Sequence, residues 1–284
     1  MDITLLAGGL VFGLVIGSFL NVVIFRLPTM LESRWTQDCC ELLEMEPQQE
    51  STPTGTFNLI VPGSTCPHCG HKIRPWENIP LLSYLFLKGK CASCKASISP
   101  RYPLVELTTG VLSAAVAFHF GYSEQALAVL ILTWSLIALT MIDIDHQLLP
   151  DQITLPLLWA GLLVNAQGIF VDLTDAVYGA VAGYLILWTV FWLFKLITGK
   201  EGMGFGDFKL LAALGAWMGW QSLPIIVLMS SLVGAVIGIA GILILGRDRN
   251  IPIPFGPYLA IAGWITLLWG DKITRLYLQI TGLA

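Results

Sequence analysis

Residues 126–142 read ALAVLILTWSLIALTMI, and residues 143–151, which follow directly, read DIDHQLLPD. Seventeen residues pass without a charge, and then Asp143, Asp145 and Asp151 arrive within nine positions. An apolar run of this kind reads as a membrane-spanning helix, for which ~20 such residues cross the hydrocarbon core. Its abrupt end marks a membrane surface. Acids that close to hydrocarbon cost several kcal/mol unless they are solvated or paired, so they are functional candidates by default.

The same alternation recurs on both sides of this stretch. Apolar segments lie at Leu5–Phe25, Leu104–Phe120, Ala126–Ile142, Ile153–Val171, Ala176–Ile197, Leu210–Trp220, Leu223–Leu245 and Pro254–Trp269, the sixth being the shortest. Of 284 residues, 55% are hydrophobic and 12% charged, and the mean hydropathy is +0.74. A soluble domain carries about 25% charged residues. The fold class expected is therefore an all-α polytopic membrane protein with about eight transmembrane helices, lying in a lipid bilayer. The first segment has Asp2 and no Lys or Arg ahead of it, a long apolar run and no small-residue cleavage site after it, so it reads as a retained span. Residues 27–103 are too rich in charge, proline and cysteine to be buried in a membrane. The organisation expected is a first transmembrane helix at 1–26, a small cytoplasmic insert at 27–103 between helices 1 and 2, and a transmembrane core at 104–284. There is no basic stripe with interleaved aromatics, which excludes a nucleic-acid partner.

Positive charge sets the orientation. With residue 1 outside, thirteen of the fifteen Lys and Arg residues fall in inside segments, leaving Lys272 and Arg275. The outside loops 121–125 and 172–175 carry Glu124, Asp172 and Asp175 and no base. Both DIDHQLLPD and a second acidic motif, Gly204-Phe-Gly-Asp207, then face the cytoplasm. The tryptophans at 188, 192, 217, 220, 264 and 269 are placed like interfacial anchors.

The insert holds Cys66-Pro-His-Cys69 and Cys91-Ala-Ser-Cys94. Paired CxxC knuckles at this separation read as a four-cysteine zinc site, closed and hence structural, which supplies folding energy to a segment with few apolar residues. A cytoplasmic address disfavours disulfides. A redox dithiol pair is the competing reading, and His68 and His71 are substitute ligands. Cys39 and Cys40 lack knuckle spacing and read as free thiols, and Glu41–Thr56 reads as a mobile acidic loop.

On a helix, Asp143 and Asp145 point about 200° apart, so one of them at most faces a given partner. Pro150 breaks the helix and leaves Asp151 in a loop or capping the next span. Asp207 follows Gly202, Gly204 and Gly206, which admit close backbone approach. Lys209 either offsets Asp207 or snorkels. Two carboxylates that meet cannot both ionise cheaply; they share a proton, one activating water and the other hydrogen-bonding a scissile carbonyl. Capping and interfacial solvation are the bland alternatives for each acid.

Six motifs, in order, bear on the choice: Gly17-Ser-Phe-Leu-Asn21-Val, the CxxC pairs, Arg101-Tyr-Pro-Leu-Val-Glu106, the stretch Asp143–Asp151, Gly202-Met-Gly-Phe-Gly-Asp207-Phe-Lys209, and Pro252-Ile-Pro-Phe-Gly-Pro257. Together they resemble a type IV prepilin peptidase, a GxGD intramembrane aspartyl protease. The resemblance implies a multi-pass enzyme of the bacterial inner membrane with Asp143 and Asp207 as catalytic acids. It implies cleavage of the short basic leader from type IV prepilins and type II secretion pseudopilins, between Gly and usually Phe. It further implies N-methylation of the new terminus with S-adenosyl-L-methionine, whose binding residues stay unassigned. Asn21 and Glu106 either hydrogen-bond within the bundle or take part in methyl transfer. Asp38, Glu41, Glu44 and Glu46 form either a leader-binding surface or a solvated loop, and Pro252, Pro254 and Pro257 shape a span entrance. An ion-coupled transporter using the same aspartates, and a non-catalytic assembly scaffold, are the competing functions.

Overall fold

The computed structural model describes residues 3–45, 57–246 and 253–281. Every regular element among them is helical. In order, the α-helices are α1 (Ile3–Leu42), α2 (Leu82–Phe86), α3 (Arg101–Phe120), α4 (Glu124–His146), α5 (Asp151–Ala166), α6 (Leu173–Thr198), α7 (Phe205–Met218), α8 (Leu223–Leu245) and α9 (Gly256–Thr281). Arg247, Arg249, Pro252 and Glu46, to which the sequence assigns roles, lie outside the described residues, as does most of the acidic loop.

Five segments are long and apolar enough to cross a membrane: α1, α3, α4, α6 and Trp220–Gly241. The expectation of about eight spans is met on these terms by five. Helices α5 and α7, with 16 and 14 residues, are shorter than a perpendicular crossing requires, and α9 is not among the five.

The chain divides into two compact units, Met1–Tyr122 and Ser123–Ala284. In the first, α1 packs along α3. Gly13 and Gly17 lie one helical turn apart on the seam, where an added Cβ would stand 2.8 Å from Gly110 Cα and 2.7 Å from Glu106 Cα respectively. Small residues at this spacing let backbones approach, which in lipid replaces the hydrophobic drive with close van der Waals contact. Helix α1 does not end where its apolar run ends. It continues through Arg26 and Pro28 to Leu42; Arg26 is buried and its guanidinium donates to the Asn58 carbonyl at 2.9 Å. The acidic positions Asp38 and Glu41 therefore stand exposed on this helical extension, followed by exposed Glu44.

The second unit is built around α7. From Leu210 to Met218 every side chain of this helix is buried, against α5, α6 and α9. Its contact with α6 is backbone on backbone: a Cβ at Gly183 would lie 2.6 Å from the Leu211 carbonyl oxygen, and Gly179 meets Gly215 more closely still. Trp217 belongs to this core. Its ring is fully buried and its indole N–H donates to the Leu157 carbonyl at 2.8 Å, so it is no interfacial anchor. Trp264 is likewise drawn inward, donating to Thr133 Oγ1 at 3.0 Å, whereas Trp188, Trp192, Trp220 and Trp269 are exposed. Asn165 closes the C-terminal end of α7, donating to the carbonyls of Ala216 and Trp217 at 2.8 and 3.0 Å.

Candidate active site and cysteine cluster

The α4–α5 connection carries the first acidic motif. Gln147 ends α4 in the left-handed region (φ 52), its N–H donating to the Asp143 carbonyl at 2.9 Å, and Pro150 precedes the first residue of α5, Asp151. The helical geometry separates the two acids of α4 as their spacing requires: Asp143 is buried, 5% exposed, while Asp145 is exposed. Asp207 lies three residues into α7, after the N-cap Gly204, and is 6% exposed. The Gly204 amide faces its carboxylate, and the charge of Asp143 acts on it. An acid in the first turn that takes the N-cap amide is half of a capping box, with the positive end of the helix dipole beside it.

Asp143 is served by a different helix. The N–H of Gly256, the first residue of α9, donates to Asp143 Oδ2 at 3.0 Å. Two helix N-termini thus supply amide hydrogens to the two buried acids. Gly256 is required by contact, since a Cβ there would lie 2.7 Å from Asp143 Oδ2. Leu149, in the middle of DIDHQLLPD, is buried between the glycines: added Cβ atoms at Gly206 and Gly256 would lie 2.7 Å and 3.1 Å from its side chain. Three of the sequence motifs therefore meet at one leucine. An aromatic triangle braces the GFGD turn, with ring centroids 5.3 Å apart for Phe191–Phe205, 5.4 Å for Phe205–Phe208 and 5.7 Å for Phe191–Phe208.

Lys209 is paired with Asp151 and not with Asp207. Its ammonium donates to both oxygens of Asp151, at 2.6 and 2.7 Å, tying α7 to the start of α5 at a half-exposed position. Among the described residues no cation is paired with Asp143 or Asp207. Sequence reasoning missed Gly256, Leu149 and the Lys209–Asp151 pair. The glycine within PIPFGP was the available signal for the first; the other two are tertiary contacts without a local signature.

In the first unit the four knuckle cysteines converge. The Sγ atoms of Cys66, Cys69, Cys91 and Cys94 all lie within 4.8 Å of one another, and Cys66 and Cys94 are 3.8 Å apart. A tetrahedron of sulfurs about 2.3 Å from a central zinc has edges of about 3.8 Å, so the cluster is compatible with a metal site. The knuckles are built alike: Cys66 N–H donates to His71 O at 2.9 Å and Cys91 N–H to Ala96 O at 2.8 Å, each followed by a tight turn with positive φ at Gly70 and Lys95. Backbone N–H groups of Cys94 and Ser93 push the Cys91 thiol down to about 6, whereas Cys94, against the pull of the Ala96 N–H, is pushed up to about 11 by Cys69, burial and the other facing thiols, as expected of neighbouring thiols that cannot all ionise without a cation among them. His71 takes no place in the cluster; its Nε2 is 3.0 Å from Glu77 Oε2. The Arg74 N–H, first, and then His71 hold the Glu77 carboxyl below its ordinary range. Cys39 and Cys40 are free thiols on α1. Asn21 donates to the Tyr102 carbonyl at 3.1 Å, and Glu106 accepts the Leu81 N–H at 2.9 Å.

Comparison with known families decides the assignment. A model of the bacterial peptidase A24 N-terminal domain matches residues 11–120, and that of the type IV leader peptidase family matches residues 130–239. The chain belongs to the type IV leader peptidase family. Members it resembles are a prepilin leader peptidase/N-methyltransferase of Pseudomonas aeruginosa, 62% identical over 273 residues that cover 96% of this chain and 93% of the relative. A namesake from Aeromonas hydrophila is 62% identical over 267 residues, covering 94% and 91%, and one from Legionella pneumophila 49% identical over 267 residues, covering 94% and 92%. No solved structure matches this leader peptidase chain.

Proposed function

We propose that this protein removes the basic leader from type IV prepilins and type II secretion pseudopilins, and then N-methylates the exposed terminus with S-adenosyl-L-methionine. The observation that carries the proteolytic half is the pair of buried acids, Asp143 and Asp207, each beside a helix N-terminus and neither paired with a cation among the described residues. Buried carboxylates of this kind lack the ion-pair partner that a structural role would supply. One carboxylate accepts a proton from water, which attacks the scissile carbonyl. The other, as the acid, hydrogen-bonds the carbonyl oxygen, stabilises the tetrahedral oxyanion and returns a proton to the leaving amine. No nucleophilic side chain is needed.

The supporting frame is a multi-pass protein of the inner membrane, N-terminus outside, with residues 1–26 as the first transmembrane helix, 27–103 as the cytoplasmic insert and 104–284 as the peptidase core. In this reading α5, α7 and α9 complete a set of eight spans, the short α7 being shielded from lipid by its neighbours. A prepilin's apolar helix follows its leader directly, so its scissile bond lies at the cytoplasmic membrane surface, the level of the acids at the end of α4 and start of α7. Zinc held by Cys66, Cys69, Cys91 and Cys94 closes the insert, with no open coordination position and hence a structural duty.

The test is cleavage of prepilin by purified protein, wild type against Asp143→Asn and Asp207→Asn. Each variant is expected to lose about a hundredfold or more in kcat, the scale of general acid–base catalysis, while remaining folded. Cleavage persisting above about a tenth of wild type in either variant refutes the paired-acid mechanism.

A further inference from the structure

Among the described residues four charged side chains are buried: Arg26, Glu106, Asp143 and Asp207. Proteolysis employs the two aspartates. Arg26 is satisfied by the Asn58 carbonyl and lies over the Phe57 ring, 5.6 Å from its centroid. Glu106 is left, 8% exposed, six residues into α3 beside the point where Gly17 lets α1 approach. Its carboxylate has two partners, the Leu81 N–H at 2.9 Å and the hydroxyl of Ser18. A carboxylate offers about four acceptor positions, so capacity remains for a further donor. Leu81 is held at φ 58, ψ −47, a conformation that branched side chains rarely adopt, and its N–H is the one that meets the acid.

Methyl transfer to an amine has a definite chemical requirement. A terminal amine with a pKa of about 7.7–8.0 is mostly ammonium at neutral pH, and ammonium has no lone pair. A base must take a proton. Both reactants are cations, so a site near hydrocarbon also needs a negative charge to hold them. In the first unit Arg26 has the wrong sign, the Asn21 amide takes no proton, and the knuckle thiols face one another.

We propose that Glu106 is the general base for methyl transfer to the amine freed by cleavage; this rests on the methyltransferase reading above. The Glu106 carboxylate takes one proton from the substrate ammonium and becomes a carboxylic acid. The nitrogen lone pair then attacks the methyl carbon of S-adenosyl-L-methionine. The C–N bond forms as the C–S bond breaks, and its electron pair returns to sulfur. The products are the secondary ammonium, neutral S-adenosylhomocysteine and protonated Glu106, with charge conserved.

The experiment uses the full-length purified protein, S-adenosyl-L-methionine and a prepilin fragment that begins at the phenylalanine after the cleavage site. Methylation is read by product mass, and cleavage of intact prepilin is measured alongside. Glu106→Gln is expected to lower kcat for methylation at least about a hundredfold. Its KM for S-adenosyl-L-methionine and its cleavage rate are expected to stay within about threefold of wild type. Glu106→Asp, which keeps a base but withdraws it by one methylene, is expected to fall between. Methylation by Glu106→Gln above about a third of wild type overturns the proposal. So does a joint loss of methylation, cleavage and bound zinc in Glu106→Gln that Glu106→Asp fully restores, since that pattern marks an anchor for the insert. Wild type that cleaves but never methylates the fragment defeats the methyltransferase reading instead, a result visible without any variant.

Discussion

The buried acids of the second unit and the buried charges of the first are held in different ways. Arg26 and Glu106 reach out of their helices to loop backbone, at the Asn58 carbonyl and the Leu81 N–H, so each charge fastens a segment of the insert to the α1–α3 pair. Asp143 and Asp207 receive amides from helix N-termini, those of α9 and α7, and these helices are set by dense packing around Leu149, Phe208 and the α6–α7 glycine seam. A charge that organises a loop spends part of its hydrogen-bonding capacity on fixed partners, two of about four acceptor positions in the case of Glu106. A charge held by preorganised dipoles, with no cation beside it among the described residues, keeps capacity for a reacting group, and its position is only as exact as the helices around it.

The sharpest way to break this contrast is at Gly256. Alanine there adds one methyl group 2.7 Å from Asp143 Oδ2 without altering any charge. Either the carboxylate or α9 must move. Misplacement by about 1 Å at a reacting centre costs about a hundredfold in rate, and that is the loss expected in prepilin cleavage by Gly256→Ala. Zinc content and the melting temperature of the protein should change little. Near-normal cleavage would mean that the α9 amide plays no part in placing Asp143.

Much of the ground plan was legible. Each of the eight apolar stretches falls mainly on one α-helix, those on α5 and α7 being short, because a run of apolar residues has few alternatives to a helix in lipid. The CxxC spacing announced the sulfur cluster, and the two-residue spacing of Asp143 and Asp145 announced that one would be buried and the other exposed. Boundaries were less legible. Hydropathy sees where apolar residues stop, so it ended the first helix at Arg26 and began the sixth apolar stretch at Leu210, while the backbone of α1 continues to Leu42 and that of α7 starts at Phe205. The GFGD glycines suggest a loop, yet three of those four residues form the first turn of α7. Trp217 looked like an anchor because residue type and position along a span say nothing about which neighbour covers it. Leu149, Gly256 and the partner of Lys209 are questions of tertiary contact, over separations for which no spacing rule exists.

A smaller effect is expected from the Lys209–Asp151 pair, which joins the motif of one acid to that of the other at a half-exposed surface. Such pairs contribute about 0.2–1 kcal/mol and are screened by salt, so Lys209→Met should leave the protein folded. Cleavage should fall by about fivefold, the rate equivalent of that energy scale. The double exchange Asp151→Lys with Lys209→Asp should recover part of the loss, and raising the ionic strength should narrow the gap between wild type and Lys209→Met. If the exchange recovers nothing and salt has no influence, the lysine acts through something other than its ion pair.

The smallest effect tests the loop side of the comparison. Glu77 accepts the Arg74 N–H at 3.0 Å and faces His71, whose carbonyl in turn accepts the first knuckle's Cys66 N–H. Glu77→Gln weakens this local brace and should speed zinc release to a chelator by about twofold, the effect of losing part of one exposed hydrogen bond. The sign with pH follows from the direction of the shift. The Glu77 carboxyl titrates below its ordinary 4.5 in the folded protein, so its contribution is complete above that value and fades only as the pH falls through the lower, folded one. Over a pH interval in which neither Glu77 nor its partner His71 changes charge, the ratio of release rates, variant over wild type, should therefore be constant, even though both rates change as the thiolates themselves compete with protons. A ratio that drifts across this interval would assign the brace to a group other than the carboxylate, and would leave the insert held to its knuckle by the backbone hydrogen bonds alone.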